Sequence, residues 1–176
     1  MILIDTCILS SLAKIDRLCL LDILFRKHFC YITPSILREL DTNKIAGFKF
    51  VDKIGKMLSF TDVKNKICII SPDAEEFEQA YGLQDKYNLS LVDCECIVLA
   101  KSKDAILLTD DTKLGKSALK EGISKVYDLK SLLVANIIEE VIIVREELEE
   151  ILDCLRRKDY YSFSESDIEE IFKYIS

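Results

Sequence analysis

The sequence has no tryptophan and a single histidine, and glycine (5) and proline (2) are scarce. With so few helix breakers, and long stretches rich in Leu, Ile, Lys and Glu, helix should exceed strand. The lone His28, in Arg26-Lys27-His28, has nothing to pair with as a general base and is read as exposed or capping. Long apolar runs are also missing. Segments such as Ile67 to Ile70 and Ala105 to Leu108 fall far short of the roughly 20 residues that cross a bilayer, which excludes a membrane span. A disulfide framework is absent as well: the seven cysteines are odd in number and scattered through apolar segments, with no secretory leader ahead of them. Free thiols in a reducing, cytoplasmic compartment are expected. Cys94 and Cys96 form a C-x-C pair, but no second Cys or His pair has ligand spacing, so they read as core thiols rather than a zinc site.

Positive charge is in deficit. Lys and Arg number 24 against 31 Asp and Glu, a formal net charge of −7. This excludes a protein that coats nucleic acid non-specifically, because neutralising phosphates needs clustered cations. It does not exclude an enzyme that meets phosphate through a divalent cation, since such a site concentrates carboxylates by necessity.

What is present is enough apolar sequence for one core: 176 residues, 49% hydrophobic and 31% charged, fit one domain better than two. Met1 to Ile4, Phe29 to Ile32, Ile67 to Ile70, Ala105 to Thr109 and Lys125 to Tyr127 read as short buried strands. Helical patterns lie between them. Thr33-Pro34 and Ser71-Pro72-Asp73 supply cap and proline signals. Residues 46–60 are mixed, with helix favoured. Ile137 to Arg157 and Ser166 to Ile175 read as acidic amphipathic helices, the first with a stripe of Ile138, Ile142, Val144, Leu148 and Leu152, the second with Ser166 and Glu169 as a capping box. Alternating strands and helices imply an α/β/α sandwich around a mainly parallel sheet of about five strands. Residues 1–136 form the domain, and 137–176 a helical extension packed on it or on a second copy.

In such sheets ligands collect outside the carboxyl ends of the strands. The first strand ends in Asp5 and the fourth in Asp110-Asp111. Either acid alone is as readily a turn or cap residue; two such sites together are less so. Glu39 and Asp93 interrupt apolar helical surface, where an acid without a partner is costly. A shared pocket of Asp5, Glu39, Asp93 and Asp111 around a hard cation satisfies all four. Two positions from Asp93, Glu95 falls on a different helix line, with Ser102, and is expected at the surface or in a salt bridge. Lys113, Lys116 and Lys120 recur at helical spacing after Asp111; a solvated face is the plainer reading, and RNA-phosphate contact by Lys113 and Lys116 the sharper one.

These pieces, Ile2 to Cys7, Thr33 to Leu40, Asp93 to Ala100 and Leu107 to Asp111, in this order, resemble the PIN-domain nucleases, especially the small prokaryotic ribonucleases of toxin–antitoxin pairs of the VapC kind. The resemblance implies a catalytic quartet of Asp5, Glu39, Asp93 and Asp111. Of these, Asp5, Asp93 and Asp111 hold Mg²⁺ or Mn²⁺, with Asp110 as a further ligand and Thr6 as an ordering hydroxyl. It also implies endoribonuclease activity leaving a 5′-phosphate, an inhibitory antitoxin partner and a homodimer. Two alternatives stand beside it. One is a PIN-like scaffold acting through binding in RNA processing. The other, a phosphorylation receiver, is disfavoured because its adjacent acidic pair belongs near the first strand.

Overall fold

The computed structural model describes residues 1–61 and 63–175. Six strands, β1 (Ile2–Ile4), β2 (Cys30–Ile32), β3 (Leu58–Ser59), β4 (Ile67–Ile69), β5 (Ile106–Leu108) and β6 (Val126–Tyr127), form one sheet in the order β3-β4-β2-β1-β5-β6. Every neighbouring pair is parallel. The strands carry near-continuous apolar residues because helices cover both faces of the sheet. Ile2, Leu3 and Ile4 at its centre are buried, with Ile2 in register with Cys30 on one side and Ile106 on the other. The α/β/α architecture is the one expected, with one strand more. That strand, β3, follows a short helix inside the mixed region 46–60. It has two half-buried residues on the sheet edge, too few to display a period-two pattern.

The helices are α1 (Thr6–Lys14), α2 (Asp22–Phe25, continuing a 3₁₀ turn at Leu18–Leu21), α3 (Pro34–Ile45), α4 (Val51–Gly55), α5 (Ala74–Tyr87), α6 (Leu91–Ser102), α7 (Thr112–Lys120), α8 (Leu129–Ile138), α9 (Arg145–Cys154) and α10 (Glu165–Phe172). Side-chain caps set the starts of all but α2, α4 and α9. Thr33 accepts from the Ile36 amide at 3.2 Å, with Pro34 in the first turn of α3. Asp73 and Glu76 form a reciprocal capping box on α5. From β1 the chain builds outward through β2 to β4 and β3, then crosses back to lay β5 and β6 on the other side of β1. The direction of winding therefore reverses between β1 and β5, and a crevice opens at their carboxyl ends.

The C-terminal pattern differs from its sequence reading. Ile137 to Arg157 is not one helix: Glu140 takes a φ of 55°, and the amides of Val141 and Ile142 turn back to the carbonyl of buried Asn136. The expected apolar stripe is consequently split. Ile142 and Leu148 are buried but Ile138 and Val144 are largely exposed, and the line that enters the core is Leu148, Ile151, Cys154 and Leu155. Ser164, not Ser166, caps α10, accepting from the Asp167 amide at 3.1 Å. Among the described residues no helix is long and apolar enough to cross a membrane. All seven cysteines are free, with Cys94 and Cys96 in the core as expected.

Candidate metal centre

Asp5 closes β1 and caps α1. Its amide donates to the Leu108 carbonyl at 3.0 Å, which ties the end of β1 to the end of β5. Its carboxylate is buried and held on both oxygens: Oδ1 accepts from the Thr6 amide at 2.6 Å, and Oδ2 from the Thr109 hydroxyl at 2.7 Å and the Cys7 thiol at 2.9 Å. Burial, then the Asp5 charge, pushes the Cys7 thiol far above its ordinary range, so it stays a protonated donor. The Thr109 hydroxyl also accepts from the Asp111 amide at 3.1 Å, bridging two acids of the quartet. Asp111 caps α7, its Oδ1 accepting from the amides of Lys113 (2.7 Å) and Leu114 (2.8 Å).

The other two acids come from helices. Glu39 on α3 accepts from the Thr6 hydroxyl at 2.7 Å, so the ordering role expected of Thr6 has a direct contact behind it. Asp93 shares a capping box with Ser90 at the start of α6, its Oδ2 taking the Ser90 amide at 3.2 Å. Burial raises the pKa of both Glu39 and Asp93. The charges of Asp5 and Asp93 raise Glu39 further, and those of Asp5 and Asp111 raise Asp93 further. Glu39 and Asp93 thus each feel the charge of two other acids of the quartet. No Lys or Arg among the described residues forms an ion pair with any of them.

Three expectations change. Asp110 does not join the cluster: its Oδ1 accepts from the Leu129 amide at 3.1 Å, Tyr161 stands against it, and its charged neighbours are Asp128 and Asp159. Adjacent strand-end residues point to opposite sides, which a two-acid motif conceals. Glu95 is not at the surface but 1% exposed, accepting from the Ser35 hydroxyl at 2.8 Å. Lys113 donates its ammonium to the Asn88 carbonyl rather than standing free, whereas Lys116 is exposed. Sequence reading also assigned no role to Thr109, Cys7 or Ser90. A hydroxyl two positions before a capping acid is a local signal for a turn contact, and it marks Thr109; the Asp5 contact across 104 residues has no local signal.

A divalent cation fits the donor chemistry here: hard carboxylate oxygens, coupled in charge and, among the described residues, paired with no cationic side chain. Among the described residues no three His, Cys, Asp or Glu side chains are gathered as a ready-made ligand set. The acids are near neighbours rather than a closed cage.

Fold and site together define a class, the parallel α/β/α domains that gather carboxylates at the carboxyl ends of their central strands. The family model DUF3368, a PIN domain, matches residues 1–175, and the chain belongs to the PIN-domain family, whose members are generally nucleases. No curated protein and no solved structure matches it.

Proposed function

We propose that the protein is a metal-dependent endoribonuclease whose working groups are Asp5, Glu39, Asp93 and Asp111. The observation that carries this reading is the uncompensated carboxylate cluster at the β1/β5 crevice of a PIN fold. Asp5, Asp93 and Asp111 would hold Mg²⁺ or Mn²⁺, with Glu39 facing the same charge. A bound cation supplies charge stabilisation at a phosphate and lowers the pKa of water. The chain's own residues do the rest. Thr109 and Cys7 fix the Asp5 carboxylate by donating to it, Thr6 fixes Glu39, and the α6 capping box fixes Asp93. Burial raises the pKa of Glu39 and Asp93 from their ordinary values, so either holds a proton more readily than a surface acid.

A toxin role, with an inhibitory protein partner, a homodimer and a cytoplasmic setting, is the specific form of this reading, supported by the resemblance and by seven unpaired thiols. Residues 137–176 then serve as a helical extension of a domain ending near residue 136. A second reading is a catalytically weak PIN-like scaffold or binding module in RNA processing. Single-stranded RNA cleavage with Mg²⁺, Mn²⁺ or chelator separates the two. Wild type should cut only with metal, and Asp5→Asn should lose about 100-fold or more; Asn keeps an acceptor for the Thr6 amide but not the charge, and because its amide nitrogen cannot accept from Thr109 and Cys7 the comparison is made on protein shown by circular dichroism to be folded. Equal cleavage by the folded Asp5→Asn protein would remove the metal role of the cluster.

A further inference from the structure

Beside the acids lies a cleft of about 590 Å³ between α3 and the start of α6, lined by Ser35, Arg38, Glu39, Thr42 and Asn43 on one wall and Leu91 and Val92 on the other. Arg38 is the one cation among these residues. It is exposed, and among the described residues it makes no ion pair. Among the described residues its guanidinium donates one hydrogen bond, from Nη2 to the Ser35 hydroxyl at 3.3 Å. Ser35 in turn donates to Oε1 of Glu95, which is sealed in the core, and the second Glu95 oxygen has no hydrogen-bond partner. A buried acid with an oxygen left over is costly and has to be explained by what it holds.

We propose that Arg38, tethered through Ser35 to buried Glu95, is the phosphate clamp of the site: it binds a backbone phosphate of single-stranded RNA in the α3/α6 cleft, next to the linkage that meets Glu39. This inference rests on the nuclease reading and deepens it. Arg38 and Glu39 are adjacent on α3, so a strand that brings one phosphodiester to the acids brings a neighbouring phosphate within reach of the guanidinium. The tether restrains the arginine against rotamer freedom without neutralising it, because Ser35 stands between the two charges. A guanidinium presents a fork of donors that matches phosphate oxygens, and it is weakly hydrated, so it suits a cleft with an apolar wall. It also answers the electrostatic difficulty of the molecule, an anionic substrate approaching four carboxylates, by placing an unspent positive charge at the entrance.

Binding of a fluorescent single-stranded RNA of about ten nucleotides, followed by anisotropy in chelator across a salt series, tests this without requiring catalysis. Wild type should bind. Arg38→Ala should weaken binding about tenfold and reduce the slope of log K against log[salt] by about 0.7, the release expected for one lost phosphate contact on a single strand. Arg38→Lys should restore the slope but only part of the affinity, because the charge returns without the fork. The melting temperature of Arg38→Ala should match wild type, since the side chain is exposed. Unchanged affinity and slope in Arg38→Ala, full restoration by lysine, or no RNA binding by wild type at low salt would each overturn the clamp. Cleavage measured separately with Mn²⁺ distinguishes the failures: binding lost in Arg38→Ala with no wild-type cleavage retains the clamp and removes the nuclease, and cleavage with unchanged binding does the reverse.

Discussion

Asp93 and Glu95 stand two positions apart on α6, and at 3.6 residues per turn they point about 200° from each other. One reaches the carboxylate cluster and the other reaches Ser35. Asp93→Asn should therefore weaken Mn²⁺ binding at least about tenfold by calorimetry, whereas Glu95→Gln should leave metal affinity within about threefold, because Gln keeps an acceptor for Ser35 and carries no charge to bury. The reverse ranking would place the metal on Glu95. Helix phase was enough to separate the two acids in the sequence, yet it set Glu95 on a polar line with Ser102. That inference fails because α6 is enclosed by α5, α7 and the sheet, so Cys94 through Ala100 are all buried and α6 has no polar face along that stretch. Ser35 lies 60 residues away, and no local pattern reports it. Each acid of the proposed quartet stands out in the sequence because it either ends an apolar strand or interrupts an apolar helix. Asp110 shares the first of these signals with Asp111, while its contacts lie with Leu129 and Tyr161. A separate acid, Glu121, joins elements outside the site: Lys86, Tyr87 and Lys101 donate to it and hold its pKa down at about 2. Its folded value lies below its ordinary one, so its contribution is complete above the ordinary carboxylate range and is lost as pH falls toward 2. Glu121→Gln should cost about 1 to 3 kcal/mol in urea denaturation at pH 7, and the difference from wild type should shrink as the solution is acidified. A pH-independent difference would show that packing, not charge, is what the substitution removes.

Among the elements, the strands other than β3 were readable from apolar runs and the starts of α3 and α5 from cap residues, and β3 and the break between α8 and α9 were not. The break depends on Asn136, whose side-chain amide donates to the carbonyls of Leu20 and Leu132 while its own carbonyl takes two amides from the turn. A buried polar residue serving a distant carbonyl looks, in sequence, like any interruption of a stripe. Beyond α9 the chain forms a π turn at Leu155–Asp159 that ends with Tyr160 in a left-handed conformation. Asp159, nearly buried, accepts from Ser11 and Lys14 of α1, both at 2.5 Å, and Tyr161 then meets Asp110. Two successive contacts thus fasten the C-terminal helices to the helix that begins at Asp5 and to the loop that carries Asp111. Asp159→Asn should destabilise the protein by roughly 2 to 3 kcal/mol, below the 3 to 5 of a fully buried pair because Lys14 stays one-third exposed. In a chain of this length that corresponds to a fall in melting temperature of about 5 to 10 °C. An unchanged melt would mean that the C-terminal segment is held by its apolar contacts alone, through Leu148, Ile151, Leu155 and Ile171.

At the scale of the molecule, a net charge of −7 is spread over a surface rich in ion pairs, while the crevice between β1 and β5 concentrates anions that pair with no Lys or Arg among the described residues. The consequence expected of the proposed metal centre is that metal-free stability and cation affinity respond to pH in opposite directions. Burial and mutual repulsion raise Glu39 and Asp93 above their ordinary values, so in the carboxylate range the folded state binds more protons than the unfolded chain. Stability of the metal-free protein contributed by these two groups must therefore fall as pH rises from below their ordinary values through their raised folded ones. Metal affinity must rise across the same interval, because protons and the cation compete for the same oxygens. Melting followed from pH 4 to 7 should show Mn²⁺ raising the melting temperature little at the acid end and progressively more toward neutrality, reaching the equivalent of about 2.7 kcal/mol when the free ion is a hundredfold above its Kd. In Glu39→Gln and Asp93→Asn proteins the metal-free stability should lose part of its decline with pH, since a group that cannot ionise contributes no repulsion. A metal shift that is flat across this range, or a metal-free protein whose pH dependence is untouched by both substitutions, would show that the four carboxylates do not act on one shared charge.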